Sequence, residues 1–291
     1  MFQGSMVALV TPMFADGSVD FASLDKLVEL HAKAGTDAIV AVGTTGESAT
    51  LNHAEHCEVV RFVVDKANDR LPVIAGTGSN STSEALALGE CAKKAGAAGT
   101  LVVTPYYNKP TQGGLFGHYK KLAEEVDLPM ILYNVPGRTA VDMLPQTVAR
   151  LAELPNVVGI KEASGSLQRI AELVSLCGED FDVLSGDDDL ALAATEKGCK
   201  GVISVTANVA PQRMHEIFQA ALAGNREKAK ALHQPLLALH RNLFLESNPI
   251  PVKWALHELG LIGTGIRLPM TELSDDKKPA LRQALKEAQL L

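Results

Sequence analysis

The segment NVVGIKEASG, residues 156–165, carries an amine and a carboxylate directly after an apolar run. The run has the length and composition of a buried strand, and Lys161 stands at its end, followed by Glu162. A lysine there can lie along the surface with its ammonium group in water. Alternatively, burial lowers its pKa from the usual value of about 10.4 and leaves a neutral nucleophile for a carbonyl substrate. The second interpretation predicts Schiff-base chemistry at Lys161.

Schiff-base chemistry also needs a proton shuttle, because carbinolamine formation, loss of water and enamine formation each move a proton. Tyr133 lies at the end of the preceding apolar run, PMILYNV. In a parallel barrel with right-handed connections, Tyr133 would be the lateral neighbour of Lys161. Tyr133 alone would be interpreted as an aromatic residue that fills the barrel mouth, but the neighbouring amine favours a shuttle.

Eight short β-rich runs between Met6 and Thr206 are the elements that must position these groups. They are MVALVTP, DAIVAVGTT, PVIAGTG, GTLVVTP, PMILYNV, NVVGIKE, FDVLSGD and KGVISVT. Most intervening segments have helical periodicity, as in FASLDKLVELHAKAG, where Leu24, Leu27 and Val28 share a face. This alternation predicts repeated βαβ units.

The count of eight strands favours an α/β fold of the (β/α)8 TIM barrel type over an open, doubly wound sheet. A dinucleotide-binding sheet would have G-x-G-x-x-G after its first strand, whereas the first strand here ends in LVTPM. Barrel enzymes place their chemistry at the carboxyl ends of the strands. These ends form a rim rich in hydroxyl groups: Thr11, Thr44, Thr45, Thr77, Thr104, Tyr106, Tyr107, Tyr133, Lys161, Gly186, Asp187 and Ser204.

After Thr206 the pattern changes to helices without strands. The first helical segment, PQRMHEIFQAALAG, suits the eighth helix of the barrel. Three further segments follow, NREKAKALHQPLLALHRNLF, PIPVKWALHELG and KKPALRQALKEAQLL. We therefore predict a catalytic barrel over residues 1–224 and a C-terminal helical extension over residues 225–291, packed on the barrel or on another subunit.

The composition limits the classes of partner. A net charge of −7 and a pI near 5.6 argue against a nucleic acid and favour a small-molecule substrate. No apolar run approaches the roughly 18 residues that span a bilayer, and no secretory or transit leader is recognisable. The cysteines form no C-x-x-C pair, which favours reduced thiols in a cytoplasmic protein over a disulfide framework or a zinc site. They are Cys57, Cys91, Cys177 and Cys199.

Two clusters of polar residues could be interpreted as metal sites. His53, His56 and Cys57 recur on one face of a predicted helix, but H-x-x-H alone is a weak signal, and polar residues on a solvated or interface face are the alternative. The acidic run Asp187–Asp189 suggests magnesium. Aspartates that open a helix are, however, stabilised by its dipole and cap its free N–H groups. We favour this structural role and expect activity that survives a chelator.

Three motifs in order resemble the pyruvate-dependent Schiff-base aldolases, and in particular the dihydrodipicolinate synthase family. They are GTTGE at 43–47, YNVPGRT at 133–139 and GIKEASG at 159–165. The resemblance extends over essentially the whole chain, from GSMVALVTP to NPIPVKWALHELG. It implies that Lys161 forms an imine with pyruvate, that Tyr133 transfers protons, and that no external cofactor or metal is needed.

The resemblance also implies the rest of the active site. Thr44 and Tyr107 would complete the proton relay, with Tyr107 reaching in from a neighbouring subunit. Thr45 and adjacent backbone N–H groups would hold the pyruvate carboxylate, since a carboxylate prefers hydroxyl and N–H donors at a loop. Gly186 and Ile203 would line the same pocket.

Arg138 would select the second substrate. A guanidinium binds a carboxylate bidentately, and the family uses this arginine for L-aspartate 4-semialdehyde, although loop arginines commonly face solvent. Relatives that cleave N-acetylneuraminate or keto-deoxy sugar acids usually lack Arg-Thr here. The leading prediction is condensation of pyruvate with the semialdehyde to 4-hydroxy-tetrahydrodipicolinate, toward diaminopimelate and lysine. A non-catalytic keto-acid-binding barrel is the alternative from another class, and the nucleophile and shuttle argue against it.

Members of the family that are inhibited by L-lysine have an effector site whose positions match this sequence. The matching residues are Ser48, Ala49, His53, His56, Asn80, Glu84 and Tyr106. Glu84 would pair with the α-amino group of lysine, and Tyr106 would link the inhibitor to the adjacent Tyr107. The resemblance further implies a homo-oligomer, most often a tetramer built as a dimer of dimers.

Overall fold

Eight parallel strands close into a barrel in chain order in the computed structural model, which describes residues 1–291. Each predicted β-rich run overlaps one strand, so the predicted TIM barrel is confirmed. The strands are β1 (Gly4–Ala8), β2 (Ala38–Ala41), β3 (Val73–Gly76), β4 (Gly99–Val103), β5 (Met130–Asn134), β6 (Val157–Glu162), β7 (Asp182–Ser185) and β8 (Gly201–Ser204).

Helices surround the barrel and continue beyond its last strand. They are α1 (Phe21–Ala34), α2 (His53–Ala67), α3 (Thr82–Lys94), α4 (Gln112–Glu125), α5 (Pro136–Thr139), α6 (Pro145–Leu151), α7 (Leu167–Cys177), α8 (Asp188–Thr195), α9 (Pro211–Leu222), α10 (Arg226–His233), α11 (Leu237–Asn242), α12 (Ile250–Glu258) and α13 (Lys278–Glu287). None of them combines the length and the hydropathy that crossing a membrane requires.

Side chains that alternate along the strands divide the core into an inner and an outer layer. The barrel interior is filled by an apolar cluster that includes Met6, Ile74, Ile131 and Ile203. Residues on the other face of the strands pack against the helices, where the predicted α1 stripe, with Leu27 at its centre, is buried. The interior is therefore a packed core whose chemistry is confined to its carboxyl-terminal mouth.

The C-terminal helices pack on the barrel of the same chain. Leu239 of α11, Ala255 of α12 and Leu281 of α13 belong to one apolar cluster with barrel residues such as Leu9. One predicted helix is divided, because α10 and α11 are separated by a 3₁₀ turn, Gln234–Leu236, whose proline has no backbone N–H to donate.

Cys57 and Cys91 form a disulfide, so the prediction that all four thiols are reduced is wrong for this pair. Cys57 lies on α2 and Cys91 on α3, and these neighbouring helices bring the two Cα atoms to 6.0 Å. The 34 residues between the cysteines concealed this proximity from the sequence pattern. Cys177 and Cys199 remain free thiols.

Candidate active site

Lys161 and Tyr133 stand side by side at the carboxyl ends of β6 and β5. The two residues are direct register partners, and Lys161 pairs on its other side with Leu184 of β7. Only 6% of Lys161 is exposed, and its Nζ lies 4.5 Å from the centroid of the Tyr133 ring. The predicted lateral pairing is confirmed, and this burial does not fit a lysine that lies along the surface.

Burial lowers the pKa of the Lys161 ammonium group to about 8. The negative charges of Asp188 and Asp187 oppose this effect, whereas the positive charge of Arg138 reinforces it. A substantial fraction of the amine is therefore neutral in weakly alkaline solution. A neutral amine at this position is able to attack a carbonyl carbon.

The rate at which Lys161 forms an adduct with pyruvate is expected to rise with pH and to level off above about 8. Only the neutral amine attacks, and its fraction grows about tenfold for each pH unit below the pKa. Borohydride trapping across a pH series measures this rate. Asp187→Asn removes a charge that raises the pKa and is expected to shift the profile to lower pH; a wild-type midpoint near the pKa of a free lysine would contradict the argument.

Tyr133 carries a proton that it does not readily lose. Burial raises the pKa of its hydroxyl to about 12, while the positive charge of Arg138 acts in the opposite direction. The Thr44 side chain approaches the phenol and also lowers this pKa. Tyr133 is therefore a neutral phenol at neutral pH, placed to donate a proton to, or accept one from, a group bound to Lys161.

The loop Gly43–Glu47 brings hydroxyl and N–H donors to the barrel mouth. The N–H groups of Thr44 and Thr45 have no hydrogen-bond partner within the chain. The chain enters the loop at Val42 with φ of +52°, an uncommon conformation for a β-branched residue. Free N–H groups beside a threonine hydroxyl are suited to a carboxylate.

Residues of the C-terminal extension hold this loop in place. Lys253 of α12 is buried, pairs with the buried Glu47 carboxylate and donates to the carbonyl oxygen of Thr11 at 3.0 Å. The backbone N–H of Arg267 donates to the other Glu47 oxygen at 3.1 Å. Sequence analysis missed these contacts because a lysine on an apolar helix gives no sign of its partner.

Asn248 connects the loop to Arg138 and is a second residue that sequence analysis missed. Its Nδ2 donates to the Thr45 hydroxyl at 2.9 Å, and its carbonyl oxygen accepts from Arg138 Nη2 at 3.1 Å. Its Oδ1 is buried without a partner. The segment NPIPVKW belongs to the motif-bearing part of the sequence, but only the fold brings it beside residues more than 100 positions away.

Gly186 leaves room for the nucleophile. A Cβ atom at this position would lie 2.6 Å from Ala163 Cβ and 2.9 Å from Lys161 Cε. Ile203 on β8 is fully buried in the barrel interior, two strands from Lys161. Gly186 thus borders the lysine directly, while Ile203 contributes to the apolar floor of the mouth.

Asp187 and Asp188 bind loops on either side of β7. Asp188 Oδ2 accepts from the N–H groups of Val205 and Thr206, and Asp187 Oδ2 accepts from that of Gly165 at 3.0 Å. The predicted capping by Asp187 is wrong, since its side chain makes no bond to α8 and the neighbouring loop supplies the donor instead. No group of three or more His, Cys, Asp or Glu side chains is arranged to hold a metal ion.

A polar network behind β5 and β6 fixes the strands that carry the two central residues. Asn134 Nδ2 donates to Glu162 at 3.1 Å and to Asp142 at 3.0 Å, and Arg169 binds Asp142 with both terminal nitrogens at 2.9 Å. Burial raises the pKa of Glu162. Asn134 directly follows Tyr133 and Glu162 directly follows Lys161, and Asp142 and Arg169 extend the network from Asn134, so the network constrains the spacing of the two strand ends.

Tyr107 is the predicted catalytic residue that this chain does not bring to Lys161. Its side chain is 88% exposed, and its backbone has a φ of +74°. Such a backbone conformation is rare for a residue other than glycine and is characteristic of functional loops. That Tyr107 completes the site of another subunit remains a prediction.

A pocket of about 390 Å³, called the side pocket here, is continuous with the mouth of the barrel because Thr44 and Arg138 line it. The structure brings together in its wall six of the residues predicted for an effector site. They are Ser48, Ala49, His53, His56, Glu84 and Tyr106. Asn80 is not part of this wall, and its carbonyl oxygen accepts from Asn108 Nδ2 at 2.8 Å.

His56 lines the side pocket with a ring whose tautomer is fixed by a backbone contact. Its Nε2 lies 2.8 Å from the carbonyl oxygen of Gly76, so Nε2 carries the proton and Nδ1 has a free lone pair. Nδ1 is buried without a partner, and burial lowers the pKa of the ring. Glu84 adds a carboxylate, which accepts from Ser79 Oγ at 2.7 Å. The pocket is therefore suited to a ligand that carries an ammonium group.

The fold and the buried Tyr133–Lys161 pair define a (β/α)8 enzyme of the Schiff-base type. A family model described as the dihydrodipicolinate synthetase family matches residues 1–288, and the chain belongs to this family.

Named relatives are similar to this chain over essentially its full length. The 4-hydroxy-tetrahydrodipicolinate synthase of Thioalkalivibrio sulfidiphilus is 62% identical over 288 residues, 99% of this chain and 98% of that one. A crystal structure of the chloride-inhibited dihydrodipicolinate synthase from Acinetobacter baumannii, complexed with pyruvate, is 55% identical with a TM-score of 0.99 and covers 100% of both chains. A crystal structure of the dihydrodipicolinate synthase from Cyanidioschyzon merolae with lysine bound is 42% identical, with a TM-score of 0.96. The match covers 100% of this chain and 99% of that one.

Proposed function

We propose that the protein condenses pyruvate with L-aspartate 4-semialdehyde to 4-hydroxy-tetrahydrodipicolinate, in the synthesis of diaminopimelate and lysine. The buried amine of Lys161 beside the Tyr133 phenol is the observation that carries this proposal. The pyruvate-bound structure from Acinetobacter baumannii supports pyruvate as the first substrate. The family relationship supports the condensation over the release of pyruvate from a sugar acid.

In this mechanism Lys161 attacks the keto carbon of pyruvate while Thr45 and the free N–H groups of its loop hold the carboxylate. Tyr133 donates the proton with which the carbinolamine hydroxyl leaves as water, and the imine forms. Tyr133 and Thr44, joined by Tyr107 of a neighbouring subunit, then remove a proton from the methyl group. The resulting enamine is the carbon nucleophile, and the imine is the electron sink, so no external cofactor takes part.

The enamine attacks the aldehyde carbon of the semialdehyde, whose carboxylate Arg138 holds. Asn248 fixes Arg138 through its carbonyl oxygen. The substrate amino group then closes on the imine carbon and displaces Lys161. The product leaves as a ring, and the lysine amine is regenerated.

Arg138→Gln is expected to raise the KM for the semialdehyde about tenfold, because a charge-assisted hydrogen-bond pair contributes roughly 1.5 kcal/mol or more. The rate of the pyruvate adduct on Lys161 should change much less, since Arg138 lies outside the carboxylate-binding loop. Steady-state kinetics with each substrate varied separately measures both effects. An equal loss for both substrates would contradict the assignment of Arg138 to the second substrate.

The decisive experiment measures pyruvate consumption with aspartate 4-semialdehyde, N-acetylmannosamine or glyceraldehyde as the partner, with borohydride trapping in parallel. We expect turnover with the semialdehyde and a reduced pyruvyl adduct on Lys161 in the mass spectrum. An adduct with turnover of only a sugar aldehyde would overturn the substrate while keeping the chemistry. The absence of any adduct would overturn the enzyme mechanism and favour a keto-acid-binding protein.

We further propose that L-lysine binds the side pocket and inhibits the enzyme. The Glu84 carboxylate offers an acceptor for an ammonium group, and Tyr106, which lines the pocket, directly precedes Tyr107 in the sequence. The relative from Cyanidioschyzon merolae was crystallised with lysine bound. Calorimetry and rate measurements with saturating L-lysine test the proposal, and no binding with an unchanged rate would refute it.

We also infer the oligomeric state and the domain organisation of the protein. The exposed Tyr107 supports a homo-oligomer in which each subunit completes the relay of another, with a tetramer as the proposed state. Residues 1–224 would form the catalytic barrel, and residues 225–291 would support it from outside. A biosynthetic enzyme of this kind acts on metabolites of the cytoplasm. Sedimentation of the wild type and of Tyr107→Phe, together with their activities, tests whether assembly and relay depend on this residue.

A further inference from the structure

The disulfide between Cys57 and Cys91 joins the two helices that form one wall of the side pocket. His53 and His56 lie on α2, on the turn that precedes Cys57. Glu84 lies near the start of α3, which also carries Cys91. A covalent bond between the helices therefore fixes the distance between the histidines and the carboxylate that face each other across the pocket.

Both cysteines border a groove that opens to the outside of the protein. Cys57 and Cys91 are half-buried and line a surface groove of about 570 Å³ on the outer side of the two helices. Arg61 and Lys94 line the same groove, and so do the carboxylates Glu58 and Glu90. The thiolate is the form that reacts with oxidants and disulfides, and both cysteines border this groove.

Cysteine pairs in metabolic enzymes that form disulfides in a reducing compartment are most often redox sensors. Cys57 and Cys91 have the two features that this role requires, close approach and access for a reagent. Cys177 and Cys199 have no such partner, and Cys199 is fully buried. The pair differs from the other two thiols in its position on the side-pocket helices.

We propose that Cys57 and Cys91 form a reversible redox site that sets the affinity of the side pocket for its amino acid effector. Oxidation by a hydroperoxide converts one thiolate to a sulfenic acid with release of the alcohol or water. The second thiol then displaces hydroxide, which leaves as water, and the S–S bond forms. A dithiol reductant reverses the step by thiol–disulfide exchange and becomes a disulfide itself.

The oxidised form holds α2 and α3 at the spacing seen in the structure, whereas the reduced form lacks this covalent constraint. A pocket that is already ordered binds its ligand more tightly, because less conformational entropy is lost on binding. L-lysine should therefore bind the oxidised enzyme more tightly than the reduced one. This inference rests on the effector assignment under Proposed function.

The first measurement is a thiol count in denaturant. Peroxide-treated protein should show two reactive thiols and a linked peptide that contains Cys57 and Cys91, and dithiol-treated protein should show four thiols. Cys177→Ser is the control and should lose one thiol in each state without changing the linkage. Failure of the Cys57–Cys91 linkage to form would overturn the proposal.

The second measurement is L-lysine affinity by calorimetry on the intact oligomer in both redox states. Reduced wild type and C57S/C91S should bind about three- to tenfold more weakly than the oxidised enzyme, with an unchanged uninhibited kcat. C57A/C91A guards against a folding defect specific to serine. Equal affinity in both states would overturn the redox inference alone. No binding in any state or variant would instead overturn the effector assignment and, with it, this proposal.

Discussion

Gly186→Ala is expected to lower kcat by about 100-fold or more, because a misplacement of about 1 Å at a reacting group costs this much. The added Cβ would lie 2.9 Å from Lys161 Cε and 2.6 Å from Ala163 Cβ. Ala163 follows β6 directly, so its Cβ cannot shift without the backbone, whereas Lys161 Cε lies near the end of a flexible side chain. The lysine side chain must move, and its amine moves with it.

The loss should lie in the chemical step that involves Lys161. Borohydride trapping of the pyruvate adduct should slow in parallel with kcat, and the melting temperature should change little. Gly117→Ala is the matched control, because no atom lies within 4 Å of a Cβ at that position. Gly117 is in the interior of α4, so alanine there should leave activity intact and slightly favour the helix. Normal trapping and turnover in Gly186→Ala would show that the mouth of the barrel tolerates a shifted lysine.

Local patterns in the sequence were sufficient to predict the barrel and its central pair. Eight apolar runs separated by amphipathic helices admit few topologies, and consecutive strands in a barrel are neighbours. The contact between Tyr133 and Lys161 follows from this order alone, because both residues end adjacent strands. Contacts at the mouth of the barrel are thus predictable for residues whose position depends only on the strand that carries them.

Contacts that depend on packing between distant segments were not predictable. Asn248 reaches Thr45 across 203 positions, and Lys253 reaches Glu47 across 206. The hydrophobic periodicity of α12 does not distinguish a buried lysine that has a partner from a lysine at the edge of an apolar face. The Cys57–Cys91 bond escaped prediction for the same reason, since hydrophobic periodicity describes one helix face and not its neighbour.

The C-terminal extension therefore supports the active-site loop Gly43–Glu47 through direct contacts. Asn248 and Lys253 both contact the loop that carries Thr44 and Thr45, and Lys253 does so with a full charge. A strained loop keeps its conformation only when the surrounding structure imposes it. Val42 and Glu47, at the two ends of this loop, both have positive φ values. The C-terminal helices supply the contacts that impose this loop conformation.

Lys253→Met is accordingly expected to destabilise the protein by about 3–5 kcal/mol, because it leaves the Glu47 carboxylate buried without its counter-charge. Lys253 is only 3% exposed and Glu47 only 1%. Urea unfolding followed by circular dichroism measures the change. Lys121→Met is the control: Lys121 forms an exposed ion pair with Glu125 on α4, and its loss should leave the unfolding midpoint essentially unchanged.

The double variant Glu47→Gln/Lys253→Met separates the charge from the packing. Removing both charges should recover a large part of the lost stability, since the unpaired buried carboxylate is the main penalty. We expect the pyruvate KM to be raised in both variants, because the charged pair no longer fixes the loop between Thr11 and Arg267. Equal stability of Lys253→Met and the double variant would show that Glu47 is not the origin of the penalty, and the buried pair would then serve packing alone.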